Sequence, residues 1–332
     1  MKSSCSKVSA KAYKPRRPEK TALYKLVKQQ YRMWSNKSEK SIPYHVEKEF
    51  SQYLRCGVLA YGFAYASCDS CGDEFLIAFS CKGRGICPSC NSRNMAEVAK
   101  HLVEAVIPAL PMRQWVISFP KRLRIYLETP SILAKMLEIV ASEIRHCLMR
   151  TTAASPVKEF GAISFVQRFG NTLNFHPHFH LITVDGMIFR NQGSLEFQEA
   201  ILTYDDLLDT QEAIRLRVLR WFQKRRHLQE EEVERMLLSD NSGFSLDCSV
   251  RIEARDRAGL ERLIRYCARP PFASENLRWR APYVQYRLPK PTHTGVRYLQ
   301  LSPLEFIERL AALIPPPRRH YHSFFAPHHP YR

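Results

Sequence analysis

The chain has 332 residues, 45% of them apolar, ten cysteines and a formal net charge of +18. The apolar share excludes wholesale disorder; no run reaches the roughly 18–20 apolar residues of a spanning helix, and the opening "MKSSCSKVSAKAYKPRRPEK" lacks the apolar stretch of a secretory signal. A cation surplus of this size points to a nucleic-acid partner rather than a membrane, and cysteines without a secretion signal point to metal binding in a reducing cytoplasm, beside the nucleoid.

Residues 1–40 read as a basic arm followed by a helix over "EKTALYKLVKQQYRMWSN", and "IPYHVEKEFSQYLRCG" gives a second amphipathic stretch. Residues 41–108 are expected to form a zinc-binding domain, closed by the helical "NMAEVAKHLVEAVIPAL" that stops at Pro108 and Pro111. A core domain over 109–290 follows. Its first strand is "RQWVISFP", ended by Pro120, and "PSILAKMLEIVASEIRHCLMR" is a helix started by Pro130. "FGAISFVQRFG" and "HFHLITVDGMIF" are strands joined by a short polar link, so an antiparallel pair. A charged helical insertion spans about 196–244, then come the strand "GFSLDCSVRIEA" and the helix "RDRAGLERLIRYCARPPF", broken by Pro270 and Pro271. Short strands "YVQYRLP" and "VRYLQLS" and the helix "SPLEFIERLAALI" lead into a basic extension, 291–332. This order predicts an α+β fold, an antiparallel sheet with helices gathered on one side, preceded by a small zinc ribbon.

Five of the cysteines lie in "CDSCGDEFLIAFSCKGRGICPSC". Cys68 and Cys71, then fifteen residues, then Cys87 and Cys90 match the spacing of two zinc knuckles. Each pair turns two thiolates towards one centre, and a closed four-sulfur Zn²⁺ site stabilises a fold without doing chemistry. Cys81 is a fifth sulfur, either packing or displacing one of the four.

In "NFHPHFHLITVDG" His176, His178 and His180 recur at every second position. Side chains two apart on a strand share a face, so His178 and His180 can present both imidazoles to one divalent cation. In a basic protein such a cation can polarise a phosphodiester oxygen. His176 precedes Pro177, where the strand is only starting. Further basic clusters are "PKRLR", with Lys121, Arg122 and Arg124, and "RWFQKRRH", in which Trp221 reads as core. The tail "PPPRRHYHSFFAPHHPYR" is basic and aromatic.

Taken together, "SCKGRGICPSC", "RQWVISFPKRLR", "VQRFGNTLNFHPHFHLITVDG", "SVRIEARDRAGLERLIRYCARPPF" and "YRLPKPT" resemble the rolling-circle transposases of the insertion-sequence-91 type, members of the HUH endonuclease superfamily. The resemblance covers nearly the whole chain. It implies a tyrosine nucleophile, matched here by Tyr266, which would leave a 5′-phosphotyrosine and a free 3′-hydroxyl. Arg262 stands one helical turn before Tyr266, so the chain resembles the single-tyrosine branch. The resemblance also implies a third metal ligand, Gln167 or Asp185, and Mg²⁺ or Mn²⁺ as the catalytic ion. Expected partners are single-stranded DNA at element ends and target DNA, with Lys121, Arg122, Arg124, Arg265 and Arg269 as contacts; the second cleavage would use a second protomer or Tyr266 again. A plasmid replication initiator or relaxase shares this chemistry; a zinc-ribbon DNA-binding regulator would have none.

Overall fold

The computed structural model describes residues 16–38, 41–69, 72–152, 158–191, 194–270 and 272–315. Cys71, most of the N-terminal arm and the C-terminal tail lie outside the described residues. The chain divides into two compact units. One holds the described residues up to 94 together with 171–174 and those from 270 on, and the other holds 95–170 and 175–269. Residues 270–290, expected in the core domain, therefore belong with the N-terminal unit.

In the first unit, helices α1 (Ala22–Lys37) and α2 (Tyr44–Arg55) form where apolar residues recur at helical spacing. Thr21 caps α1, its side chain accepting from the Tyr24 amide. Tyr31 stacks on Phe50 at 4.5 Å, and the Tyr24 hydroxyl donates to the Leu54 carbonyl at 3.0 Å. A two-stranded hairpin follows, β1 (Phe63–Ser67) against β2 (Glu74–Ala78), in register Tyr65 with Leu76. Helix α3 (Pro88–His101) carries the chain into the second unit and ends in a wide turn, Leu102–Val106, before Pro108.

The second unit is built on an antiparallel sheet. Its strands are β3 (Met112–Ser118), β5 (Ala162–Phe169), β6 (Phe175–Val184), β9 (Ser245–Asp247) and β10 (Arg251–Ile252), in the order β10-β3-β6-β5, with β9 also on β3. Between β3 and β5 come the turn of helix α4 (Lys121–Arg124), the long helix α5 (Pro130–Arg150) and the short strand β4 (Lys158–Glu159). Strands β7 (Gly186–Asn191) and β8 (Ser194–Glu199) join β4 in a second sheet; the charged insertion is the helices α6 (Tyr204–Lys224) and α7 (Glu230–Leu237). The helical part of the insertion thus begins only after β8. A capping box of Thr203 and Asp206 starts α6.

Helices cover both faces of the sheet, not one. Phe179 and Leu181 of β6 pack with Trp115 and Ile117 against α5 and α6, in a cluster with Met136, Val140, Ile144, Ile214 and Val218. On the other face Ile182 and Val184 pack with Ala99 and Val103 and with Leu260 and Ile264 of α8 (Arg257–Cys267). The reason is visible in β6: every residue from Phe179 to Val184 is buried, so both sides need a cover. Trp221 is partly buried against the first cluster, with Phe222 fully inside.

The remaining strands, β11 (Leu277–Arg280), β12 (Tyr283–Arg287) and β13 (Tyr298–Leu301), form a sheet of the first unit. Helix α9 (Pro303–Leu313) buries Phe306, Ile307 and Leu310 there. No helix among the described residues is long and apolar enough to cross a membrane.

Candidate functional site

Strand alternation puts His178 and His180 on the face of β6 that α8 covers, beside Gln167, which pairs with His178 across β5 and β6. The His178 and His180 ring centroids are 5.0 Å apart. Burial is the first cause that lowers the pKa of all three histidines. In His180 the neighbouring His178 and then Arg269 add to it and bring it to about 3; in His176, Arg124 and then His178 bring it to about 4. All three rings are therefore neutral at neutral pH and each carries one lone pair.

The hydrogen bonds decide where some of those lone pairs point. His178 Nδ1 lies 2.8 Å from the His176 carbonyl oxygen, which can only accept, so the proton of His178 sits on Nδ1 and its Nε2 is left bare. His180 Nε2 is buried without a hydrogen-bond partner among the described residues, while its Nδ1 faces Gln114 Nε2 at 2.9 Å. Gln167 Nε2 donates to the carbonyls of Tyr266, at 3.3 Å, and Cys267, at 2.9 Å. That fixes the amide and leaves Gln167 Oε1 buried and unpartnered among the described residues. A buried acceptor costs about 1–3 kcal/mol when left unpaired. Such atoms on facing strands suit a cation; His176 Nε2 is a further one, at the strand's entrance.

Helix α8 supplies the phenol. Asp256 caps it, accepting from the Gly259 amide at 2.7 Å, and a Cβ at Gly259 would run into that same carboxylate. Leu260, Leu263, Ile264 and Cys267 form the buried stripe and leave Tyr266 half exposed on the helix's last turn. The Tyr266 ring meets His180 edge to face, with centroids 5.8 Å apart. The Arg269 guanidinium stands over the phenol ring at 4.7 Å. Burial pushes the Cys267 thiol up to about 12, so it stays protonated.

The other expected contacts are dispersed. Arg262 and Arg265 are held by Asp256 and Glu261, at 3.8 and 3.6 Å. Arg122 pairs with Glu232 at 3.1 Å, Lys121 is exposed, and Arg124 donates from Nε to the Phe119 carbonyl at 3.1 Å. Asp185 is fully buried between Arg113 and Arg251, each at 2.6 Å, as a structural ion-pair centre.

The cysteines gather differently from their spacing. Cys87 and Cys90 lie together with Cys56 and Cys81, all four sulfurs within 4.8 Å of one another. Cys68, in the turn after β1, is not among them. The physical reason is the hairpin: β1 and β2 carry Cys68 away from the base, while Cys56 at the end of α2 and Cys81 just after β2 return to it. Three of the sulfur separations are 3.7 Å for Cys56–Cys90, 3.6 Å for Cys56–Cys87 and 3.5 Å for Cys81–Cys90. Four thiolates at ~2.3 Å from Zn²⁺ would stand about 3.8 Å apart, whereas a disulfide needs about 2.05 Å; the set fits a zinc ion. Backbone amides of Cys81 and Gly83 donate to Cys56 and Cys81 sulfurs at 3.3 Å. Glu49 Oε1 accepts from Gly85 N at 2.8 Å and holds the knuckle. Cys56 stands in "LRCG" with no knuckle spacing, and Gln114 looked only like part of a buried strand; neither carried a sequence signal.

A cysteine cluster that takes zinc and a basic chain with an antiparallel core define a DNA-acting protein with a structural metal. The family model described as "Putative transposase" matches residues 161–328, about half the chain, and the one described as "Transposase zinc-binding domain" matches residues 26–119. No curated protein and no solved structure matches the chain. The chain belongs to the transposases of the insertion-sequence-91 type, enzymes that cut and join DNA strands.

Proposed function

We propose that this transposase nicks single-stranded DNA at element ends and transfers it by a rolling-circle route, as an HUH-type endonuclease with Tyr266 as nucleophile. The observation that carries this reading is the phenol ring beside His180, with the unprotonated Nε2 of His178 and the unpartnered His180 Nε2 and Gln167 Oε1 on the same face. His178, His180 and Gln167 would hold the ion, the oxygen of Gln167 favouring a hard cation such as Mg²⁺ or Mn²⁺. When bound, the ion supplies charge that polarises a non-bridging phosphate oxygen.

The Tyr266 hydroxyl gives up its proton and its oxygen attacks phosphorus; the bond from phosphorus to the 3′-oxygen breaks, and that oxygen leaves as a hydroxyl after taking a proton. A tyrosine–phosphorus ester on the 5′ side replaces the diester, so a later 3′-hydroxyl can reverse the step and join strands without ATP. Arg269, over the phenol, is the best placed phosphate contact. Arg124, whose charge His176 and His178 both feel, is the next. Lys121, Arg122 and Arg265 serve as outer contacts, the two arginines exchanging Glu232 and Glu261 for phosphate. The second cleavage needs Tyr266 again, or the Tyr266 of a second copy.

The test uses labelled single-stranded end DNA with Mn²⁺ and denaturing gels. A covalent adduct is expected, lost in Tyr266→Phe and in the His178→Ala/His180→Ala pair. An adduct that survives Tyr266→Phe defeats the assignment, and DNA binding without any adduct would leave a regulator.

A further inference from the structure

We propose that Gln114 sets the tautomer of His180 and thereby decides whether that ring can hold a cation. The inference rests on the metal-ligand reading above and adds a positioning residue to it.

A neutral imidazole has one N–H and one lone pair, and whatever faces one nitrogen settles the role of the other. For His178 the backbone does this through the His176 carbonyl. For His180 the neighbour is a side-chain amide. Gln114 sits on β3, two residues from the direct partner of His180, on the same face of the sheet. It is 4% exposed, and the amide end that reaches His180 Nδ1 at 2.9 Å also reaches Cys267 Sγ at 3.2 Å.

The two ends of an amide have the same shape, so the hydrogen-bond network assigns them. With the NH₂ end towards the ring, Nδ1 accepts and the proton of His180 moves to Nε2. That N–H is then buried with no partner among the described residues, and no lone pair is left for a cation. With the oxygen towards the ring, Nδ1–H and the Cys267 thiol both donate to one carbonyl, and His180 Nε2 is bare like that of His178. The second arrangement leaves no N–H stranded at the buried Nε2 of His180, and it gives both imidazoles the same open nitrogen. Gln114 also ties His180 to the residue next to Tyr266, so ligand and nucleophile share one anchor. Partners of this kind, which orient a ligating histidine through its other nitrogen, are worth roughly 10- to 100-fold in metal affinity.

The experiment takes the full chain with its zinc retained and histidines labelled with nitrogen-15. Two-bond proton–nitrogen spectra without added cation report which nitrogen of His180 is protonated, assigned by comparison with His180→Asn. Titration with Mn²⁺, read by electron paramagnetic resonance, gives affinity. The parent is expected to show the Nδ1–H form. Gln114→Leu is expected to lose that form and to bind Mn²⁺ roughly 10- to 100-fold more weakly. Gln114→Glu, whose carboxylate can only accept, should keep the Nδ1–H form and hold Mn²⁺ within a few-fold of the parent. An Nε2–H parent, or a leucine variant unchanged in both spectra and affinity, overturns the proposal. A parent that shows Nδ1–H but binds no Mn²⁺ supports the tautomer lock while refuting the cation reading on which the function was built.

Discussion

Replacing Asp185 by asparagine separates the cation-ligand role that the resemblance offered from the ion-pair role seen in the structure. The Asp185 side chain is fully buried, taking Arg113 Nε at 2.6 Å and Nη2 at 2.9 Å, and Arg251 Nε at 2.6 Å. Asparagine keeps the shape but loses the charge and offers an NH₂ to one guanidinium. Removing one partner of a buried pair costs about 3–5 kcal/mol. Arg251 retains Glu199 and Glu253 and is partly solvated, which places this variant near the lower figure, about 3 kcal/mol. For a unit of this size each kcal/mol shifts the melting temperature by about 2–4 °C, so a drop of roughly 6–12 °C is expected. Circular dichroism melts of zinc-loaded protein, paired with Mn²⁺ titration, read both quantities. A variant that melts with the parent yet fails to bind Mn²⁺ would refute the reasoning and return Asp185 to the site.

Serine at Cys56 or Cys81 should release zinc in a chromogenic chelator assay and unfold the first unit, whereas serine at Cys68 should leave zinc bound. Zinc-loaded protein without added Mg²⁺ or Mn²⁺ should lose stability as pH falls from about 6.5 towards the pKa of His180, near 3. The folded pKa of His180 lies below the unfolded one, so below 6.5 the unfolded chain binds the extra proton; this ring alone removes about 2 kcal/mol by pH 5. His180→Asn should flatten that slope in denaturant titrations, and an unchanged slope would contradict the burial argument. Arg269→Ala should slow adduct formation about 10- to 100-fold, the worth of a charged hydrogen bond. Arg265→Ala, removing an exposed paired cation, should change it only a few-fold; equal effects would argue against Arg269 as the inner contact.

Much of the architecture was legible because the chain punctuates itself: Pro130 starts α5, Pro120 and Pro108 end elements, and apolar spacing marks the stripes of α5, α8 and α9. The shared face of His178 and His180 follows from strand parity alone. Three features were not legible. The two-sided burial of β6 hides a second layer, because a continuous apolar run does not say how many faces are covered. Spacing rules favoured Cys68 and Cys71, since they measure sequence distance, whereas the β1–β2 hairpin carries Cys68 away and brings Cys56 and Cys81 to its base instead. Gln114 acts through an amide on a neighbouring strand, a relation that exists only once the register Val116 with His180 is set.

The cluster's first two members in chain order close a ring. Between Cys56 and Cys81 the whole β1–β2 hairpin hangs from a common base, pinned where both its ends return. A protease cut in the turn between the strands would sever the chain without freeing either fragment for as long as the ion stayed in place. Chelation would then let the pieces part, so an intact outline after nicking reports occupancy of the metal rather than integrity of the backbone.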